Sequence, residues 1–132
     1  MTTPILFGLF LLVGVLVSAG PAWATRQNST VADAELNVSG ELRTDQPVTV
    51  LFDLKGYKLP NGSYSSINVR FATKPEGPEP MIRTGYPKTT LIFSTPGIYR
   101  TTFILNEVSK PSCGGVDAKR LMEKTIEFNI TE

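Results

Sequence analysis

Apolar and polar residues alternate with a period of two along most of the chain after residue 31. A period of two is typical of β-strands that bury one face and expose the other. Six stretches show it, and each is bounded by residues that favour turns. The side chains predicted to point inward are Ala32, Ala34, Leu36 and Val38; Val48, Val50, Phe52 and Leu54; Ile67, Val69 and Phe71; Leu91 and Phe93; Tyr99, Thr101, Phe103 and Leu105; and Ile126, Phe128 and Ile130.

The segments between these stretches predict turns and one short extra strand. Residues 73–80, TKPEGPEP, contain three prolines, which lack amide donors and therefore predict a crossing loop. Residues 81–83, MIR, are predicted as a short edge strand. Residues 117–124, DAKRLMEK, leave open one helical turn before the last strand. Strands of this spacing predict an all-β fold, a single antiparallel β-sandwich of about seven strands over residues 32–132.

One segment carries a resemblance to a known family. Residues 94–105, STPGIYRTTFIL, resemble the corner before strand F, and strand F itself, of immunoglobulin-like, fibronectin type III and PKD domains. The resemblance implies that Gly97 and Tyr99 form a structural corner, with the Tyr99 hydroxyl bonded to nearby backbone. Thr101 stands where antibody domains have their second cysteine, and strand C has no tryptophan. The resemblance therefore implies a divergent immunoglobulin-like module.

The N-terminal segment predicts export. The first 24 residues have no charged side chain, and residues 5–17 are an unbroken apolar run of signal-peptide length. Ala22-Trp23-Ala24 fits a cleavage pattern, so residues 1–24 are predicted as a cleaved signal peptide and residues 25–31 as a polar leader. The expected location is periplasmic or extracellular. Because residues 1–4 carry no Lys or Arg, an uncleaved membrane anchor stays open as an alternative.

Composition argues against catalysis. The chain has no histidine and one cysteine, which removes the commonest general base, His-paired nucleophiles and most zinc or copper ligand sets. With 13 basic and 12 acidic residues, nothing in the overall charge favours nucleic acid or an anionic membrane. We therefore expect a protein that is not an enzyme and has no cofactor and no metal site.

The resemblance also implies where a binding surface would lie. In immunoglobulin-like sandwiches the B–C, D–E and F–G loops gather at one end, here residues 55–64, 84–88 and 110–119. Lysine and tyrosine concentrate in these loops, and tyrosine is favoured in binding loops because it offers a large contact area at low entropic cost. The alternative is that the tyrosines cover the ends of the core. The candidate binding residues are Lys55, Tyr57, Lys58, Tyr64, Tyr86, Lys88, Lys110 and Cys113.

The opposite end has a mildly acidic composition. Its predicted loops carry four carboxylates, and this charge placement motivates the hypothesis that modules associate head to tail through complementary ends. Those residues are Glu41, Asp45, Glu76 and Glu79.

Cys113 lies between a proline-serine pair and two glycines, and four accounts of it stay open. It is a buried small hydrophobe, one half of an intermolecular disulfide, an exposed thiol without a role, or a reactive thiol activated by nearby basic residues. Asn28, Asn37, Asn61 and Asn129 each begin an N-x-S/T triplet, which is a glycan acceptor only in a eukaryotic secretory pathway.

These observations favour a noncatalytic exported β-sandwich that binds a protein or ligand, or that assembles into a larger extracytoplasmic structure. A protein partner or self-association is expected, with an intermolecular disulfide through Cys113 as one route. Two alternatives remain: a small redox or enzymatic protein that uses Cys113, and a membrane-anchored accessory subunit with an uncleaved N-terminal helix.

Overall fold

A computed structural model describes residues 31–110 and 114–132. These residues form seven β-strands and no helix, and none of them belongs to a helix long and apolar enough to cross a membrane. The signal peptide and most of the leader lie outside the described residues, as does Cys113. The strands are β1 (Glu35–Gly40), β2 (Pro47–Asp53), β3 (Ser63–Thr73), β4 (Met81–Arg83), β5 (Lys88–Ile92), β6 (Gly97–Ser109) and β7 (Asp117–Ile130).

The strands form two sheets in which every neighbouring pair is antiparallel. The four-stranded sheet has the order β1-β2-β5-β4, and the three-stranded sheet has the order β3-β6-β7. The sequence prediction of an all-β fold built from antiparallel strands is therefore confirmed, as is the short edge strand at residues 81–83. Two antiparallel sheets that share one apolar core are consistent with a sandwich.

Aromatic side chains join the two sheets at the centre of the core. Phe52 of β2 meets Phe103 of β6 edge-on, with ring centroids 6.2 Å apart. Phe93, which follows β5, lies 5.5 Å from Phe128 of β7 by the same measure. All four side chains are almost fully buried. The inward faces predicted for β2, β5 and β6 are therefore the faces that the structure buries.

The first strand departs from its prediction. It begins at Glu35 rather than Ala32, because Asp33 has a positive φ of 64° and the preceding residues form a turn. Ala32 and Val38 are exposed although both were predicted to point inward. Since β1 is an edge strand, only its Leu36 packs against the core, and that side chain is half-buried.

The last strand extends from Asp117 to Ile130, so the helical turn considered for residues 117–124 is wrong. A bulge in the β6–β7 ladder pairs Leu105 with Met122 and Asn106 with Arg120, which leaves Leu121 as the extra residue. The bulge lets both Leu121 and Met122 be fully buried. Strict alternation along a strand cannot predict two consecutive inward side chains.

Two fully buried threonines differ in their hydrogen bonding. The Thr89 hydroxyl donates to the Gly85 carbonyl at 3.0 Å and accepts from the Gly85 amide at 3.2 Å. The Thr101 hydroxyl has no partner within the described residues. A buried polar group without a partner lowers stability, because it loses its hydrogen bonds to water.

Replacing Thr101 with valine is expected to raise the free energy of unfolding by about 0.5–1 kcal/mol, because it removes a hydroxyl that gains nothing from burial. Thr89→Val is the matched control and should lower it by about 1–2 kcal/mol, because it leaves Gly85 groups unpaired. Urea unfolding of both variants measures the difference. A Thr101→Val variant less stable than the parent would show that the hydroxyl has a bonding partner in solution.

Candidate functional site

The candidate site is the end of the molecule at which β2 and β6 end and β3, β5 and β7 begin. Register places Leu51 beside Lys88, and Tyr64 beside Val108, which in turn pairs with Ala118. The Phe52 amide donates to the Pro87 carbonyl at 2.8 Å, so the β4–β5 loop lies against the end of β2. We call this the basic end, after its lysines Lys55, Lys58, Lys88, Lys110 and Lys119.

Tyr57 ties the β2–β3 loop to the three-stranded sheet. Its hydroxyl donates to the Glu107 carboxylate, and its ring packs against the core. The Lys119 ammonium lies 5.8 Å from the centre of that ring, within cation–π range. The hydrogen bond to Glu107 raises the pKa of Tyr57 above its usual value, with burial and the carboxylate charge acting in the same direction. Tyr57 therefore orders the loop.

Tyr86 closes the core on the side of the four-stranded sheet. Its ring centroid lies 6.5 Å from that of Phe52, and its side chain is half-buried against the core cluster. Burial raises the pKa of Tyr86, and the negative charge of Asp53 adds to the effect. Of the two roles left open for the loop tyrosines, the contacts of Tyr57 and Tyr86 fit core covering. Tyr64 differs, since it is 52% exposed at the start of β3.

Two of the lysines make charged contacts within the molecule, one through ion pairs and one through a cation–π contact. Lys55 forms ion pairs with Glu35 at 3.0 Å and Asp53 at 3.4 Å. The hydrogen bond to Glu35, followed by that to Asp53, raises the pKa of Lys55, while the Lys55 amide lowers the pKa of Asp53. Lys119 lies over Tyr57. Lys55 and Lys119 are thus part of the framework of the basic end.

The other three lysines are exposed and face solvent. Lys58, Lys88 and Lys110 make no ion pair with any carboxylate in residues 31–110 and 114–132. Lys58 lies in the β2–β3 loop, Lys88 opens β5, and Lys110 follows β6. These three are therefore the lysines of this end whose charge is not engaged by a carboxylate or an aromatic ring of the described residues, although Asp117 also lies here, where β7 begins.

Sequence reasoning missed two residues of this end. Glu107 holds the Tyr57 hydroxyl, and Val116 is 57% exposed at the entry to β7. The sequence did contain a sign of Glu107. With a period of two, position 107 falls on the same inward face of β6 as Phe103 and Leu105, where an apolar residue is expected and a carboxylate stands instead. For Val116 the neighbouring glycines, both with positive φ, indicate only a turn.

Cys113 is the remaining predicted member of the site, and it lies outside the described residues. Among the residues that the structure does describe, no group of three His, Cys, Asp or Glu side chains could hold a metal ion.

The opposite end is less acidic than its carboxylates suggest. Lys74 and Glu79 form an ion pair in the β3–β4 loop. Arg43 also lies at this end, where its side chain donates to the Glu132 carbonyl at 3.2 Å. Charge complementarity between the two ends is therefore weaker than the loop sequences imply.

Gly97 and Tyr99 lie where β6 begins. The Tyr99 hydroxyl donates to the Thr95 carbonyl at 2.6 Å, and the side chain is 1% exposed. Gly97 has a φ of 140°, and a Cβ there would lie 3.0 Å from the Pro75 ring. The corner thus needs glycine, and it also brings the β3–β4 loop against the start of β6.

Comparison with known proteins gives no match among family models, curated proteins or solved structures.

Proposed function

We propose that this protein is a noncatalytic, exported, immunoglobulin-like module that binds an acidic partner through its basic end. The fold part of the proposal is supported by the strand order. Orders β1-β2-β5-β4 and β3-β6-β7 correspond to the ABED and CFG sheets of constant-type immunoglobulin domains. The Tyr99 hydrogen bond to Thr95 supports it further, because a tyrosine near the start of strand F bonds backbone upstream in such domains.

The observation that carries the binding part is that some lysines of the basic end are ion-paired with carboxylates and others are not. Lys55 is paired with carboxylates, whereas Lys58, Lys88 and Lys110 project from three separate segments without such partners in the described chain. Beneath them, Tyr57 and Tyr86 pack against the core and hold the two loops in place. A rigid platform that presents several unpaired ammonium groups suits a partner with clustered negative charge.

Photo-crosslinking in the producing cell tests this proposal. A benzoylphenylalanine at Asn61, which is exposed in the β2–β3 loop, is expected to give a discrete crosslinked species. The charge reversals Lys58→Glu and Lys88→Glu, combined in one chain, should abolish that species because they invert the charge that attracts the partner. Adding salt to the isolated protein and partner should weaken binding for the same reason.

The matched control reverses two exposed arginines away from the basic end. Arg43→Glu combined with Arg100→Glu changes the net charge by the same amount and should leave the crosslink intact. A crosslink at Asn61 that survives the lysine reversals, or one lost equally in both double variants, would contradict the proposal.

A further inference from the structure

Four strands of this fold lie at sheet edges, and three of them carry features that discourage pairing with another chain. β4 has only three residues and follows Pro80. β7 has six charged side chains, and Lys124 pairs with Phe103, which places its charge on the inward face. β1 is short, with six residues. Short length, charge and inward-pointing lysine are the usual protections of sheet edges.

β3 is the least protected edge. It runs for 11 residues from Ser63 to Thr73, and within the described residues it pairs with β6 alone. Its one irregularity lies between Phe71 and Thr73, at the end of the strand away from residues 63–70. It has no proline, and its one charged side chain is Arg70. Residues 63–69, SYSSINV, are uncharged. A strand of this length offers about 35 Å of unpaired backbone amides and carbonyls, which is a template for another strand.

The neighbouring surface is also partly apolar. Ile67 and Val69 are only half-buried against the core. Val31 bonds to Leu121, and Arg43 bridges to Thr131, so the β1 and β7 edges lie on one side of the molecule. The β3 and β4 edges therefore share the other side, where Met81 is 57% exposed. Backbone pairing along β3 would cover this apolar strip as well.

We propose that the free edge of β3 pairs antiparallel with β3 of a second copy of this chain, around a two-fold axis at Ile67. The two three-stranded sheets would then form one continuous six-stranded sheet. This interface shares Tyr64 with the basic end but none of its lysines, and it goes beyond the binding function proposed above.

Side-chain complementarity favours a second copy as the occupant. In the register centred on Ile67, Tyr64 of one copy faces Arg70 of the other, twice by symmetry. An arginine over a tyrosine ring is a favourable pair at such a position. Ser66 faces Asn68 in the same register, so hydroxyl and amide groups meet and no like charges are brought together. Ile67 faces its own copy on the inward side.

Sedimentation and spin labelling of the purified protein, with the N-terminus that the producing cell leaves on it, test the proposal. A reversible dimer is expected as concentration rises, in the presence of reductant. A nitroxide attached to Ser66→Cys should show dipolar broadening in that dimer, because its copy lies one strand spacing across and two residues along, about 8 Å away between backbones. The same label at Thr125→Cys on β7 should show none. Five spacings separate the copies by about 24 Å across the sheet, and Thr125 lies level with Arg70, which adds about 20 Å along the strands. Both variants carry Cys113→Ser.

Substitution of Ser66 and Asn68 by lysine provides a second test of the dimer. Both residues are exposed, so Ser66→Lys combined with Asn68→Lys should leave the fold intact while placing like charges opposite each other. The dimer dissociation constant should rise at least about tenfold. Thr125→Lys with Asn129→Lys adds the same charge on β7 and should leave the dissociation constant unchanged. A monomer at all concentrations, a dimer insensitive to the β3 lysines, or broadening at Thr125 would overturn the proposal.

Discussion

Replacing Phe103 with alanine is expected to lower the free energy of unfolding by about 3–5 kcal/mol, the largest loss that we anticipate from one substitution. Phe103 has no exposed surface and contacts Phe52 of the other sheet and Phe128 of its own. Removing its ring opens a cavity between the two sheets, and the neighbouring aromatic side chains cannot close it without leaving their rotamers.

Chemical denaturation monitored by circular dichroism measures the effect, with Ile98→Ala as control. Ile98 lies on the same strand but is 50% exposed, so its truncation should cost less than about 1 kcal/mol. Equal losses in the two variants would mean that the sheets do not pack through Phe103, and the described core would be incorrect.

Replacing Tyr86 with serine should lower the free energy of unfolding by about 2 kcal/mol. For a domain of this size, this corresponds to a melting temperature roughly 10 °C lower. The reason is its half-buried ring against Phe52 at the end of the core. Tyr57→Ser should also destabilise the fold, because the variant loses both the packing and the hydrogen bond to Glu107. Tyr64→Ser, at a side chain 52% exposed, should change the melting temperature little.

These three variants decide what the tyrosines of the basic end do. If Tyr57→Ser and Tyr86→Ser melt like the parent while the partner crosslink at Asn61 disappears, the two tyrosines are contact residues and not supports of the loops. Loss of thermal stability with a retained crosslink below the melting temperature would place recognition on the lysines, as proposed.

Periodicity predicted most of the strands because half-buried strands repeat every two residues. Val48, Val50 and Phe52 show this well, since β2 lies inside its sheet and buries one whole face. The same logic was wrong for Val38, because β1 is an edge strand whose outer end the second sheet does not cover. It could not foresee Leu121 beside Met122, since a bulge changes the phase of the alternation.

The candidate site was harder to predict because it depends on which charges meet in space. Loop composition identified Lys55 as well as Lys58, yet only the structure shows Lys55 between Glu35 and Asp53. Glu35 is 20 positions away in the sequence, and nothing local indicates the contact. Tyr57 was predicted as a binding residue from residue type and loop position, and its Glu107 partner lies 50 residues away on β6.

The proposed function requires export, and the intact mass of the protein recovered from outside the cytoplasm of its producing cell tests that requirement most directly. The account predicts a chain that starts at Thr25, after the Ala22-Trp23-Ala24 pattern, and so is lighter than the 14.4 kDa of all 132 residues. The same mass spectrum with and without reductant reports whether Cys113 joins a second chain. A full-length chain confined to the cytoplasm would contradict the account.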